Sequence, residues 1–324
     1  MVAKIKRHPV FGDIGLISRT NRPIGRYLIK LYFDLLGGRR RSHEQDWWPG
    51  VRLTLPEEGR PGEIIYKHRR VAPLAPLDIL EGPREEITIV GSGPSISGQD
   101  FSRLPDHSAI LLNGAIHLLD KRLQNPLAVM VEDERFVWRH FGTMVKLIKP
   151  QTPCLFSTST LRAICEIDAS WLASQQVIHM NFLQKPYAQA RPSNAELASM
   201  PFLSWSADRS NAISLMPQRG VFAGGSVAVT AVQIALHLKP AVLGLAGIDL
   251  LNAGEPRFYE TSEDSAKSRI LRAQDKILDI YAVVLKECER LGIKLVNYSP
   301  VSSLSRIGVP YDDRLSRQSS NKEV

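Results

Sequence analysis

Residues able to do chemistry fall in a few short stretches of the 324-residue chain. The run Ile87-Thr88-Ile89-Val90 ends at Gly91-Ser92-Gly93-Pro94-Ser95. Glycines at the end of a first parallel strand let the backbone approach a nucleotide and aim amides at its phosphates, and a plain tight turn explains them equally well. The pattern is neither G-x-G-x-x-G, because Pro94 follows the second glycine, nor a P-loop, because no Gly-Lys-Ser/Thr follows. Asn113-Gly114 follows Ile110-Leu111-Leu112. There the Asn amide could serve a sugar or base, or simply make an Asn-Gly turn. In a third stretch, Arg219 to Gly225 leads through Ser226 into Val227 to Leu236. A glycine-rich turn opening a helix offers free amides and the positive end of the helix dipole to a phosphate or carboxylate, and Ser226 also reads as an ordinary N-cap.

A fourth stretch, Gly247-Ile248-Asp249-Leu250, follows the apolar run Ala241 to Leu245, with Arg257-Phe258-Tyr259-Glu260 beyond it. Asp249 and Tyr259 are placed to touch a ligand, or to form a turn and pack. Glu132-Asp133-Glu134-Arg135 also follows a strand. It has the look of an acidic metal motif, but a solvated charge cluster accounts for it and no metal site is assigned. Cys154, Cys165 and Cys288 lie far apart without metal-ligand spacing and read as reduced structural thiols.

The elements that must position these residues are short apolar runs alternating with helical patterns. Strands are expected at Ile87 to Val90, Ala109 to Leu112, Leu127 to Val131, Cys154 to Ser157, Val177 to Met180, Ala241 to Leu245 and Lys294 to Val296. Helices are expected over Ser226 to Leu238 and Ile270 to Leu291. This alternation predicts an α/β, Rossmann-like fold with a mostly parallel sheet and helices on both faces. The domain reading is a basic amphipathic extension at 1–50, an irregular connection at 51–85 with Ile64-Ile65-Tyr66 its one strand-like run, the main α/β domain at 86–310, and a polar tail at 311–324.

Charge is concentrated at one end. Up to Arg41 there are ten basic residues against two acidic ones, leaving 31 of each sign in the remainder, so the first 41 residues carry the whole formal charge of +8. Between Pro23 and Leu36, Ile24, Tyr27, Leu28, Leu31, Tyr32 and Leu35 recur at helical spacing, with Arg22, Arg26 and Lys30 on another side. Such a helix packs its stripe on the protein or lies in a membrane interface. Trp47-Trp48-Pro49 could sit at a headgroup boundary or be buried. No stretch reaches the roughly 20 apolar residues of a membrane span, and the N-terminus lacks a signal-peptide core, which predicts a cytoplasmic protein. There is no aromatic-and-basic RNA motif, so nucleic acid is not expected as a partner.

In this order, Gly91 to Ser95, Ser102-Arg103-Leu104-Pro105, Asn113 and Gly220 to Asp249 resemble the bacterial sialyltransferases that use CMP-sialic acid. Val131 to Phe136, Ala231-Val232-Gln233-Ile234-Ala235, Gly247 to Leu250 and Arg257-Phe258-Tyr259 are similar to the lipopolysaccharide-core transferases that add a side-branch Kdo from CMP-Kdo. The resemblance spans roughly residues 86 to 305. It implies a GT-A-like variant of the α/β fold, a CMP-activated keto-acid sugar as co-substrate, and no required cofactor or metal. By the same resemblance, Gly91, Ser92, Gly93, Pro94, Ser95 and Asn113 hold the cytidine nucleotide, and Gly224, Gly225 and Ser226 lie beside ribose and phosphate, with Asp249 and Tyr259 also at the donor. The chain departs from the sialyltransferases in having Ser92 in place of Asn and in lacking their histidine base. Asp275, near that histidine's position, becomes the first candidate for the base, followed by Asp249 and Asp133. The implied acceptor is lipid A or lipopolysaccharide core, met by a peripheral enzyme on the anionic inner face of the cytoplasmic membrane, with room for a homo-oligomer. Competing readings are a CMP-sialic acid transferase and a nucleotide-binding or pterin-phosphorylating protein.

Overall fold

The computed structural model describes residue 23 and residues 25–57, 60–119, 122–251, 255–260 and 273–317. The expected basic residues from Lys4 to Arg22, the helix residue Ile24, Arg272 and the end of the polar tail lie outside the described residues.

In chain order the helices and strands are α1 (Gly25–Leu36), α2 (Gly38–Arg41), β1 (Val51–Thr54), β2 (Gly62–Tyr66), β3 (Arg69–Leu74), β4 (Glu86–Val90), β5 (Ala109–Leu112), β6 (Ala128–Val131), α3 (Glu134–Leu147), β7 (Pro153–Ser157), α4 (Thr158–Asp168) and β8 (Gln176–Met180). Then follow α5 (Asn194–Ala198), β9 (Leu203–Trp205), β10 (Ala212–Ser214), α6 (Val227–His237), β11 (Val242–Ala246), α7 (Gln274–Leu291) and β12 (Lys294–Asn297).

Among the described residues the main sheet has seven strands in the order β12-β11-β4-β5-β6-β7-β8. The pairs β12/β11, β11/β4, β4/β5, β6/β7 and β7/β8 are parallel. Every residue of β4, β5 and β6 is buried. That is why β5 and β6 read as unbroken apolar runs and β4 departs from one only at the buried Glu86 and Thr88, the mark of a sheet covered on both faces. The observed strands fall within one residue of the expected ones at each end.

The stretch expected to be an irregular connection forms β1, β2 and β3, an antiparallel sheet in sequence order. Its signal was weak because β1 alternates Val51 and Leu53 inward with Arg52 and Thr54 outward over only four residues. Pro73 lies within β3, a residue that ordinarily argues against a strand and is tolerated where its missing N–H is not needed.

Two compact units are distinguishable. The first comprises the described residues up to Glu81 with Ala128–Ser204 and Ile213–Ala223, and the second comprises Gly82–Leu127, Trp205–Ala212 and the described residues from Gly224 onward. In the first unit α1 is fastened by Arg26, which donates to the carbonyls of Trp48 (2.8 Å) and Gln45 (2.6 Å) and to Gln45 Oε1. Arg26 is 2% exposed. Burial, with Arg162 nearby, lowers its pKa to about 10. Behind it Arg162, fully buried, pairs with Glu134 and Glu166.

Candidate functional site

In an open parallel sheet, ligands bind beyond the strands' carboxyl ends where the strand order reverses direction. Here that point lies between β4 and β11. From β4 the chain proceeds through β5 on one side, while β11 and β12 lie on the other. Gly91 to Ser95 leaves β4 there and Gly247 to Asp249 leaves β11, both within the second unit.

The two loops are laced together. Gly91 N donates to Ala246 O (2.8 Å) and Gly93 N to Gly247 O (3.0 Å). Asp249, 6% exposed, accepts from Ser95 N (2.7 Å) and Ser95 Oγ (2.6 Å). Ser299, beyond β12, receives Ile248 N at 3.2 Å and Ser95 Oγ at 3.3 Å. The approach is tight enough to demand glycine at two positions. A Cβ on Gly93 would stand 2.3 Å from Asp249 Oδ2, and one on Gly91 would stand 2.4 Å from Gly247 O. Burial raises the Asp249 carboxyl above its usual range, and the Ser95 hydrogen bonds only partly offset this.

This geometry reassigns the loop's parts. Glycine amides were expected to face a phosphate, yet those of Gly91, Gly93 and Ser95 bond to protein, and Pro94 has none to give. Asp249 likewise uses both carboxylate oxygens to hold Ser95. Ser92, half-buried, presents its side chain within this braced turn, and its carbonyl receives Phe258 N at 3.4 Å.

Asn113 begins the 3-10 turn Asn113–Leu118 directly after β5. Its φ is +44°, a conformation Asn tolerates better than most residues. Its Oδ1 is buried and accepts no hydrogen bond among the described residues. Next to it Gly114 makes room for Tyr259, since a Cβ there would lie 2.0 Å from the ring. Tyr259 stacks on His117 with centroids 4.5 Å apart and planes 11° from parallel. His117 escaped the sequence reading, although its place four residues after Asn113 in the turn beyond a strand was a usable signal. Burial lowers its pKa and so favours a neutral imidazole.

The third glycine turn is packed from below. A Cβ on Gly224 would reach Val229 Cγ1 at 2.3 Å and Ile280 Cδ1 at 2.6 Å. Gly225, at φ +85°, faces Ala273 at the start of α7. Ser226 caps α6 by accepting from Ala228 N at 3.3 Å. Since α6 packs on β4, β5 and α7, its N-terminus and the first turn of α7 belong to this unit's site region. Asp275 is exposed in that first turn of α7. Arg257, one-third exposed, is a cation of this region and is held by Glu260 at 2.9 Å.

The acidic stretch after β6 belongs to the first unit. Asp133 caps α3 through Arg135 N (2.9 Å) and grips the Arg135 guanidinium, while Glu134 is buried against Arg162. Among the described residues no cluster of three or more His, Cys, Asp or Glu is arranged to hold a metal ion.

No protein-family model and no curated protein sequence matches the chain. Among solved structures it is similar to the sialyltransferase CstII of Campylobacter jejuni. With the complex of the substrate analogue CMP-3FNeuAc it shares 13% identity at a TM-score of 0.38, over 72% of this chain and 89% of that one. With the cytidine-5'-monophosphate complex it shares 14% identity at a TM-score of 0.42, over 74% and 89%. Neither fold nor activity follows from likeness at that level. The fold is given by the strand order, and the site by the contacts around β4 and β11.

Proposed function

We propose that the chain is a glycosyltransferase that takes a keto-acid sugar from a CMP-linked donor, Kdo from CMP-Kdo, and adds it to the inner core or lipid A of lipopolysaccharide at the inner face of the cytoplasmic membrane. One observation carries this reading. Segments far apart in sequence, whose combination resembles the CMP-sugar transferases, meet around one strand-order reversal: Gly91–Ser95 on Gly247–Asp249, Phe258 on Ser92, and Tyr259 on the turn that Asn113 opens.

In this reading Asn113 Oδ1, a buried acceptor in need of a donor, takes a hydrogen bond from the cytidine, because an unmatched buried polar atom costs about 1–3 kcal/mol. Ser92 bonds to the nucleotide within a rigid turn. The N-terminus of α6 at Gly224–Ser226 and the Arg257 guanidinium hold the phosphate as its charge develops. The acceptor hydroxyl attacks the anomeric carbon, the bond from that carbon to the phosphate oxygen breaks, and CMP departs with the electron pair. Asp275 takes the hydroxyl proton: of the three carboxylates considered for this role, Asp133 is engaged by Arg135, Asp249 is buried and engaged by Ser95, and Asp275 is exposed in the first turn of α7. A leaving group with one phosphate needs no metal in this scheme, and the expected rate is the same with and without a chelator.

The test is incubation with CMP-Kdo generated in place and a Kdo-containing lipid A acceptor, followed by mass spectrometry. A gain of one Kdo residue is expected, with Asp275→Asn slowing turnover by about 10²–10⁴-fold while CMP affinity holds. Transfer from CMP-sialic acid alone would give the alternative donor, and failure to bind CMP would overturn the reading.

A further inference from the structure

The amphipathic helix α1 carries its apolar side outward. Leu28 (63% exposed), Leu31 (55%), Tyr32 (58%), Leu35 (75%) and Leu36 (70%) are all open to solvent. At 100° per residue they fall on one continuous half of the helix. Trp48 and Phe33 extend this face, and with Leu28, Ile29 and Tyr32 they line an open, wholly apolar groove of about 240 Å³. The opposite side is fixed by Arg26 in its cage of carbonyls, and Ile29 is buried at the edge of the face, so the helix is held with this face outward. Large apolar side chains gathered like this on a surface mark a place where something docks.

The surrounding charge says what docks. Arg39, Arg40 and Arg41 on α2, directly after the helix, are exposed, Arg41 pairing with Glu44 at 3.1 Å, while Lys30 and Asp34 are exposed on another side of α1. An apolar face with Leu, Tyr and Trp bordered by cations matches an anionic lipid surface, whose acyl boundary takes the former and whose headgroups take the latter. Among the described residues no helix is long and apolar enough to cross a membrane. We infer that α1 lies in the plane of an anionic bilayer, with Leu28, Leu31, Leu35 and Leu36 in the acyl boundary and Arg39 to Arg41 among the headgroups. The inference rests on the proposed function only in naming which membrane-bound acceptor the docked chain would reach.

The experiment is flotation of the full chain with vesicles of phosphatidylglycerol and phosphatidylethanolamine, against vesicles of phosphatidylcholine. Binding to the anionic vesicles is expected to weaken at least about tenfold in Leu31→Glu/Leu35→Glu, and to lose much of its salt dependence in Arg39→Gln/Arg40→Gln/Arg41→Gln. Both variants change exposed residues, and circular dichroism with thermal unfolding checks that they remain folded. Unchanged binding in the Leu variant overturns the inference. So does a Leu variant whose only effect, by light scattering, is to turn a dimer into a monomer, for the face would then bind a second copy. Transfer to a delipidated, water-soluble acceptor should survive in the Leu variant; its absence in the parent chain would count against the proposed function while leaving the lipid face standing.

Discussion

The ends of β6 and β11 carry the same kind of residue to different purposes. Beyond β6 in the first unit, Glu134 turns inward and meets Arg162, which also holds Glu166; all three are nearly or wholly inaccessible. Beyond β11 in the second unit, Asp249 turns inward and meets neutral donors, the hydroxyl and amide of Ser95 and the hydroxyl of Ser299. Charge answered by charge makes a structural knot shut away from solvent. A carboxylate answered by neutral donors keeps the backbone of two strand ends in register and leaves the nearby side chains of Ser92 and Asn113 for other work. An acid just past a parallel strand is therefore a weak guide to function until its partner is known.

The largest effect should come from the closed knot. Arg162→Ala strands two buried carboxylates and is expected to lower unfolding free energy by about 3–5 kcal/mol, while the folded fraction binds CMP as before. A loss under about 1 kcal/mol by chemical denaturation would put the comparison in doubt. Next comes Gly93→Ala, whose methyl would collide with the Asp249 carboxylate. It should cost about 1–3 kcal/mol by the same measurement and weaken CMP binding by calorimetry. Equal CMP affinity would mean the lacing of the two loops is unrelated to the ligand.

The smallest effect is on pH dependence. Because burial raises the Asp249 pKa in the folded chain, the stability it confers is greatest below its ordinary value of 3.8 and declines as pH rises through the raised one. Asp249→Asn should flatten that decline, read as unfolding free energy against pH. A slope that stays the same would assign it to other carboxylates.

Much of the fold was legible because strands covered on both faces are mostly apolar: Ala109 to Leu112 and Ala128 to Val131 hold no polar residue. The strands of the small antiparallel sheet were not, since alternation over four residues with arginines on one face looks like a charged loop. In the site, the glycines marked where chains approach closely, yet sequence cannot tell whether their amides face a ligand or a neighbouring carbonyl. Nor could it show His117 beneath Tyr259, a contact between residues 142 positions apart. Periodicity left open whether the apolar stripe of α1 packs on the protein or lies in an interface. It could not show that Arg26 is buried among the carbonyls of Gln45 and Trp48 while Leu28, Leu31 and Leu35 are exposed.

The turn from Gly91 to Ser95 is already bonded into shape by Ala246, Gly247 and Asp249. If the turn holds the nucleotide as in the proposed function, the ligand has no segment there to wait for and no chain entropy there to remove. Association should then be governed by encounter and orientation, with a rate constant that rises linearly with nucleotide concentration and does not level off, while discrimination between nucleotides is expressed in how long each stays.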